Sequence, residues 1–153
     1  MKCVLIAVGG AKGSLACVTA CARLFADRPP PAVILLHAMQ YGGPTAADGL
    51  AIDAELAELR ETIEGSPQME ALKAKAEATL ATPRTFLEEH GFRDLRTVIK
   101  IGRPAEEIVR AATEYAADLI VIGNTRGLID KLMLGDVAQQ VANAATVPVL
   151  LAR

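Results

Sequence analysis

The residue pattern in this chain that is best suited to binding a ligand is a glycine-rich loop from Gly123 to Gly127, which directly follows a short apolar run. Gly135 and Asp136 come after seven intervening residues, at the start of a helical pattern. Glycines let backbone N–H groups approach an anion, the start of a helix adds partial positive charge, and Arg126 adds a fork of donors. The pattern therefore predicts a phosphate-binding loop, and an ordinary strand-to-helix turn is the alternative.

Apolar runs and helical patterns alternate along the chain around this loop. Five short segments predict the buried strands of a parallel sheet, and the continuous apolar run of the first predicts burial on both faces. They are Val4–Val8, Val33–Ala38, Leu95–Ile101, Leu119–Ile122 and Val147–Leu151. Apolar residues at helical spacing predict the connecting helices. These are Leu15–Phe25 with Ser14 as cap, Ile52–Glu64, Pro67 to His90 with a kink near Pro83, Pro104–Tyr115, a short piece Leu128–Leu134, and Asp136 to Ala145.

This order of elements predicts an α/β fold, with residues 1–153 forming a single domain. We expect a doubly wound, five-stranded parallel sheet with helices on both faces and the Rossmann-like strand order 3-2-1-4-5. Ligands of such sheets bind beyond the carboxyl ends of the strands, where the strand order reverses. Three loops lie there: Gly9–Gly13, Ala38–Gly43 and Gly123–Gly135.

Composition excludes several classes of function. The net charge of −2 and an aromatic content of 3% leave neither a basic surface nor stacking rings for nucleic acid. No apolar stretch approaches the roughly 18 residues of a membrane span, so we expect no membrane insertion and a cytoplasmic location. The three cysteines form no CxxC pair, which indicates neither a disulfide framework nor a zinc site.

Several side chains that could take part in catalysis or metal binding each have two interpretations. His37 ends the second strand near the predicted cleft, as an acid or base or as a structural histidine that bonds a backbone group. Cys17 and Cys21 share a helix face, which favours burial as small apolar residues over a metal or redox pair. The pairs Glu88–Glu89 and Glu106–Glu107 are expected on solvated helix faces. No HExxH, GxSxG or GxxxxGK[ST] motif occurs, so no catalytic residue is assigned.

Five segments of the chain resemble the universal stress protein family, of the small single-domain type. They occur in the family's order and extend over essentially the whole length. They are Val4–Val8, Leu35–Ala38, Gly102–Ile108, Ala117–Gly123 with the glycine loop, and Val147–Leu151. The resemblance implies a fold related to nucleotide-binding domains, a homodimer paired through the last strand (Val147–Leu151) and no settled enzymatic activity. Members are mostly regarded as stress-response regulators.

The resemblance also implies how ATP is bound in many members, through a loop of pattern Gly-x2-Gly-x9-Gly-Ser/Thr. Here Gly123 and Gly127 are separated by three residues and Gly127 and Gly135 by seven. Asp136 stands in place of the Ser or Thr, and Gly9 stands where ATP binders carry an Asp. A phosphate beside the Asp136 carboxylate meets like-charge repulsion, about 4 kcal/mol at 4 Å and an effective dielectric of 20 before screening.

These departures predict weak or absent ATP binding in a non-catalytic, dimeric regulator or sensor. An ATP- or AMP-binding member with slow ATP hydrolysis is the alternative, and a cyclic nucleotide is also compatible with the remaining loop. A nucleotidyl-transferase-like enzyme is a weaker alternative, since the first loop offers only Lys12. An unidentified protein partner is a further expectation, and the segment Tyr41–Gly65 is either a lid or partner contact or a plain surface loop. The candidate nucleotide-binding residues are Val8, Gly9, Gly10, Ala38, Gly123, Asn124, Arg126, Gly127, Gly135, Asp136 and Val137.

Overall fold

The strands of this protein form a parallel sheet in a computed structural model that describes residues 1–9, 11–39, 67–123 and 137–152. The described strands lie in the order β3-β2-β1-β4-β5, which confirms the predicted doubly wound topology. Their bounds are β1 Cys3–Ala7, β2 Ala32–Met39, β3 Leu95–Ile101, β4 Leu119–Gly123 and β5 Val149–Ala152. The last strand begins two residues later than predicted. Pro148 before it has no N–H for a ladder, but its carbonyl accepts the Ile120 N–H at 3.0 Å.

Helices cover both faces of the sheet, as predicted. Those described are α1 Ala11–Leu24, α2 Pro67–Glu89, α3 Pro104–Glu114 and α4 Val137–Ala144. Pro83 lies buried inside α2, which continues past it. The predicted helices Ile52–Glu64 and Leu128–Leu134 lie outside the described residues, as do the segment Tyr41–Gly65 and the predicted cap Asp136. No described helix has the length and apolar character needed to span a bilayer.

The prediction that Ser14 caps the first helix was wrong. The helix begins three residues earlier, at Ala11, so Ser14 lies inside its first turns. Its hydroxyl donates to the Gly9 carbonyl at 3.3 Å, and the side chain is buried. A serine that donates backwards to the preceding loop has the same sequence signature as one that caps a helix start, because only the structure gives the direction of the bond.

Alternate residues of the central strands supply two separate halves of the core. Leu5, Leu36 and Ile120 face α3 and α4, while Ile6 and Val121 face α1 and α2. All five side chains are 0% exposed. The central strands β1, β2 and β4 are therefore covered on both faces, as their continuous apolar runs predict, and each such side chain contributes about 1.5–3 kcal/mol of transfer free energy. The edge strand β3 differs, since its Arg96 and Thr97 are exposed and none of its residues is fully buried.

Candidate functional site

The carboxyl ends of β1, β2 and β4 lie side by side at one edge of the sheet. Ala7 is in register with Leu36 on one side and with Ile122 on the other. The next residues along these strands bring Val8, Gly9, Ala38 and Gly123 to this edge, with neighbouring strands about 5 Å apart. The predicted juxtaposition of these four residues is therefore confirmed. Their role in binding a ligand stays a prediction.

Side chains hold three consecutive carbonyl groups where β1 ends. Each carbonyl oxygen accepts a hydrogen bond from a donor on α1 or β2. The bonds are Cys17 Sγ to Ala7 O at 3.7 Å, His37 Nδ1 to Val8 O at 2.9 Å, and Ser14 Oγ to Gly9 O at 3.3 Å. We call these three donors the carbonyl clasp. It fixes the direction of the chain as it leaves the sheet.

The imidazole of His37 is the central member of this clasp. Because a carbonyl oxygen only accepts, the ring nitrogen Nδ1 that faces Val8 carries the proton. Of the two interpretations of His37 drawn from the sequence, the backbone-bonding one is confirmed.

Gly9 is the most open position at this edge of the sheet. A Cβ added to it would meet no atom within 4 Å, and its φ lies outside the left-handed region. The residue is exposed, and its N–H has no acceptor among the residues that the structure describes. A side chain is therefore tolerated here without backbone strain.

The remaining predicted site residues divide into one that is placed and six that lie outside the described residues. Val137 begins α4, and its side chain packs against the core beside α3. The six outside the description are Gly10, Asn124, Arg126, Gly127, Gly135 and Asp136.

Cys17 donates to the Ala7 carbonyl at this edge, but neither Cys17 nor Cys21 offers a reactive thiol. Cys17 and Cys21 are both 0% exposed and pack in the core beneath α1. Burial raises the pKa of both thiols to about 12. Their interpretation as small buried residues is confirmed. Among the described residues no His, Cys, Asp and Glu side chains come together in a group able to hold a metal.

Glu107 corrects the prediction that Glu106 and Glu107 both lie on a solvated face. Glu106 is exposed, but Glu107 is only 6% exposed, and its Oε1 accepts from Arg110 Nη1 at 2.8 Å. Its place four residues before the buried Ala111 is the signal that the apolar stripe of α3 extends to it. Glu88 and Glu89 are exposed, as predicted.

A shallow groove of about 650 Å³ lies away from this edge, between the outer surfaces of α3 and α4. Ala105, Val109 and Ala144 supply its apolar lining, and charged side chains of α3 stand around it. Neither the clasp nor Gly9 contributes to it. The groove is a separate surface from the candidate site.

Comparisons with known sequences agree with the family resemblance drawn from the sequence. The universal stress protein family matches residues 1–153. Over 93 residues the chain is 37% identical to universal stress protein MJ0531 of Methanocaldococcus jannaschii, and over 58 residues 41% identical to a universal stress protein of Methanothermobacter thermautotrophicus. These matches cover 59% and 38% of this chain, and they span 54% and 40% of the lengths of the two relatives.

Solved structures share the whole architecture at lower identity. A universal stress protein in complex with cAMP superposes with a TM-score of 0.69 at 21% identity, over 99% of this chain and 96% of the other. The universal stress protein of Archaeoglobus fulgidus in complex with dAMP gives 0.65 at 20% identity, over 100% and 98%. The family match over the full length, the sheet order and these superpositions agree, and the chain belongs to the universal stress protein family.

Proposed function

We propose that this protein is a non-catalytic regulator that binds an adenine mononucleotide at the carboxyl edge of its sheet and binds ATP weakly. The observation that carries the proposal is the junction of Val8, Gly9, Ala38 and Gly123 at the ends of three adjacent strands. In an open parallel sheet of this order, that junction is the place where ligands bind. The Gly9 N–H and the space around its Cα give the junction a donor and room.

The preference for a monophosphate follows from the charge of the loop that leads into α4. Asp136 directly precedes the first residue of that helix. A carboxylate there supplies a negative charge where the helix start would otherwise favour a phosphate chain. An AMP or cyclic nucleotide presents less negative charge to it than ATP does. The neighbouring folds with cAMP and dAMP in their complexes support this class of ligand.

We propose that the protein does not catalyse a reaction on the ligand, because the titratable groups near the site are unsuited to catalysis. His37 has one ring nitrogen committed to the Val8 carbonyl, and the buried thiols of α1 are protonated at neutral pH. The sequence contains none of the hydrolase or P-loop motifs that would supply a nucleophile or a general base. A site without a nucleophile or a general base supports regulation through ligand binding rather than through catalysis.

Isothermal titration with AMP, cAMP and ATP tests the proposal. We expect a mononucleotide to bind the unmodified protein at least tenfold more tightly than ATP. Asp136→Ser should raise ATP affinity about tenfold with little effect on AMP, while Asp27→Ser, an exposed carboxylate beyond α1, serves as the control. Stoichiometric ATP binding with phosphate release by the unmodified protein would overturn the proposal in favour of an ATP-hydrolysing member.

We also propose that two copies pair through β5. Among the described strands, β5 bonds only to β4, so its outer edge is available. Leu151 on this strand is 47% exposed. An apolar strand with an unpaired edge is prone to add a further strand, and two-fold pairing with a second copy satisfies it.

A further inference from the structure

We propose that His37 is a positioning residue, which aims the Gly9 N–H at the bound ligand by holding the carbonyl of Val8. The inference rests on the proposed function, since it assigns a donor to that same site. His37 acts here through the peptide that joins Val8 to Gly9, and contact with the ligand is made by the backbone.

At Val8 only one of the two backbone hydrogen bonds of the β1–β2 ladder is made. The Val8 N–H donates to Leu36 O at 2.8 Å, as a parallel ladder requires. The Val8 carbonyl would then be expected to accept from the Ala38 N–H, two residues beyond Leu36. It accepts instead from the His37 imidazole at 2.9 Å. A side chain therefore replaces the backbone at the last rung, where β1 leaves the sheet.

The direction of the Gly9 N–H follows from the geometry of this peptide. The C=O and N–H of a trans peptide point in opposite directions within one plane. With the Val8 oxygen held toward β2, the Gly9 N–H points toward β4, which ends at Gly123. The donor consequently faces the side of β1 on which the glycine-rich sequence begins.

The other two members of the clasp limit how far this peptide can rotate. Cys17 holds the carbonyl of Ala7 on one side, and Ser14 holds the carbonyl of Gly9 on the other. A chain without a Cβ at position 9 would otherwise rotate freely, because glycine has the widest range of backbone angles. Fixing the donor before the ligand arrives reduces the entropy that binding costs.

Replacement of His37 by three side chains separates this role from direct contact. An Asn amide nitrogen reaches the position of Nδ1, a Gln amide nitrogen reaches that of Nε2, and Phe keeps the ring without a donor. We expect His37→Asn to keep AMP affinity within about threefold. His37→Gln and His37→Phe should each lose tenfold or more. His90 provides a matched control, since its Nδ1 also donates to a backbone carbonyl, that of Phe86, at 2.7 Å. His90→Phe should leave AMP affinity unchanged.

A second readout uses the protein without nucleotide. The backbone 15N order parameter of Gly9 should be about 0.8 in the unmodified protein and in His37→Asn, and should fall below about 0.6 in His37→Phe. If His37→Gln retained AMP affinity while His37→Asn lost it, the ring would act on the ligand through Nε2 and the inference would be wrong. Equal Gly9 order parameters in all variants would also overturn it. If AMP failed to bind the unmodified protein, the proposed function would fail, while the order parameters would still decide whether His37 positions Gly9.

Discussion

The carboxylate of Asp118 accepts the backbone N–H of Cys3 at 3.0 Å, and the Asp118 N–H donates in return to the carbonyl of Cys3 at 2.8 Å. The same carboxylate oxygen accepts the Lys2 N–H at 2.7 Å. These bonds join the starts of β1 and β4 at the edge of the sheet opposite the candidate site. They give a physical reason for an aspartate directly before the fourth strand, because it satisfies two N–H groups where the ladder begins.

Acid should weaken the protein through Asp118. The N–H donors of Lys2 and Cys3 hold the pKa of this carboxyl below its usual range. A carboxyl whose pKa is lower in the folded state contributes stability that is fully present above its unfolded pKa, about 3.9, and is lost as pH falls through the folded value. Urea unfolding of the unmodified protein and of Asp118→Asn should therefore differ most above pH 5, and the difference should shrink below pH 4. Asp94→Asn is the control. A difference that stayed constant down to pH 2.5 would contradict this role.

Replacing Ala116 with glycine should stabilise the protein. Ala116 follows α3 with φ 52°, a left-handed conformation that is costly for a residue with a Cβ. The Ala117 N–H closes the turn onto Ala112 O at 2.8 Å, so the conformation is fixed by the helix end. We expect Ala116→Gly to add about 0.5–1 kcal/mol to the free energy of unfolding, measured by chemical denaturation.

The control for this glycine is an exposed alanine inside a helix. Ala78 lies on the exposed side of α2, and Ala78→Gly should cost about 1 kcal/mol. A loss of stability in both variants would show that the Ala116 conformation carries no strain that glycine can relieve.

The thiols should be inert while the protein is folded. Burial raises the pKa of Cys17 and Cys21 to about 12, and burial together with Asp118 and Asp94 raises that of Cys3. Because the thiolate is the reactive form, a disulfide reagent at pH 8 should modify no cysteine on the timescale of seconds, and all three after unfolding in urea. Rapid modification of any one thiol in the native protein would contradict the burial described here.

Dimerisation through β5 should depend on Leu151. We expect sedimentation at about twice the chain mass of 16.1 kDa at micromolar concentration. Leu151→Glu brings two like charges close together across a two-fold axis and should raise the dimer dissociation constant tenfold or more. Leu24, 59% exposed on α1, offers a matched control, since Leu24→Glu should leave the dimer intact. A monomer mass for the unmodified protein would refute pairing through this strand.

Most of the strands could be predicted from the sequence because each is a short apolar run, and the alternation of strands and helices indicates a doubly wound parallel sheet. The third strand is more polar, with Arg96 and Lys100, which agrees with its place at the edge of the sheet. The directions of side-chain hydrogen bonds could not. Ser14 has the residue type of a cap but donates to Gly9, and the partner of His37 lies on another strand, 29 residues away. The burial of Glu107 likewise depends on how α3 sits on the sheet, which spacing alone does not give.

Two of the predicted site residues, Gly9 and Gly123, are brought to the same edge of the sheet by the strand register. Gly9 and Gly123 were placed by the rule that ligands bind beyond strand ends, and the register of β1 with β4 brings them to one edge. The carbonyl clasp beside Gly9 was missed. Its three donors belong to two different elements, and only their packing against the end of β1 brings them together.

An NMR titration of the 15N-labelled protein with AMP and, separately, with ATP tests the central claim most directly. We predict that AMP shifts the amide signals of Gly9, Ala38 and Gly123 in a saturable way, with those of Lys2 and Asp118 at the opposite edge unchanged, and that ATP requires at least tenfold higher concentration. Shifts confined to the α3–α4 groove, or no saturable shift at the three site amides with either nucleotide, would contradict the claim that the carboxyl edge of this sheet binds a mononucleotide.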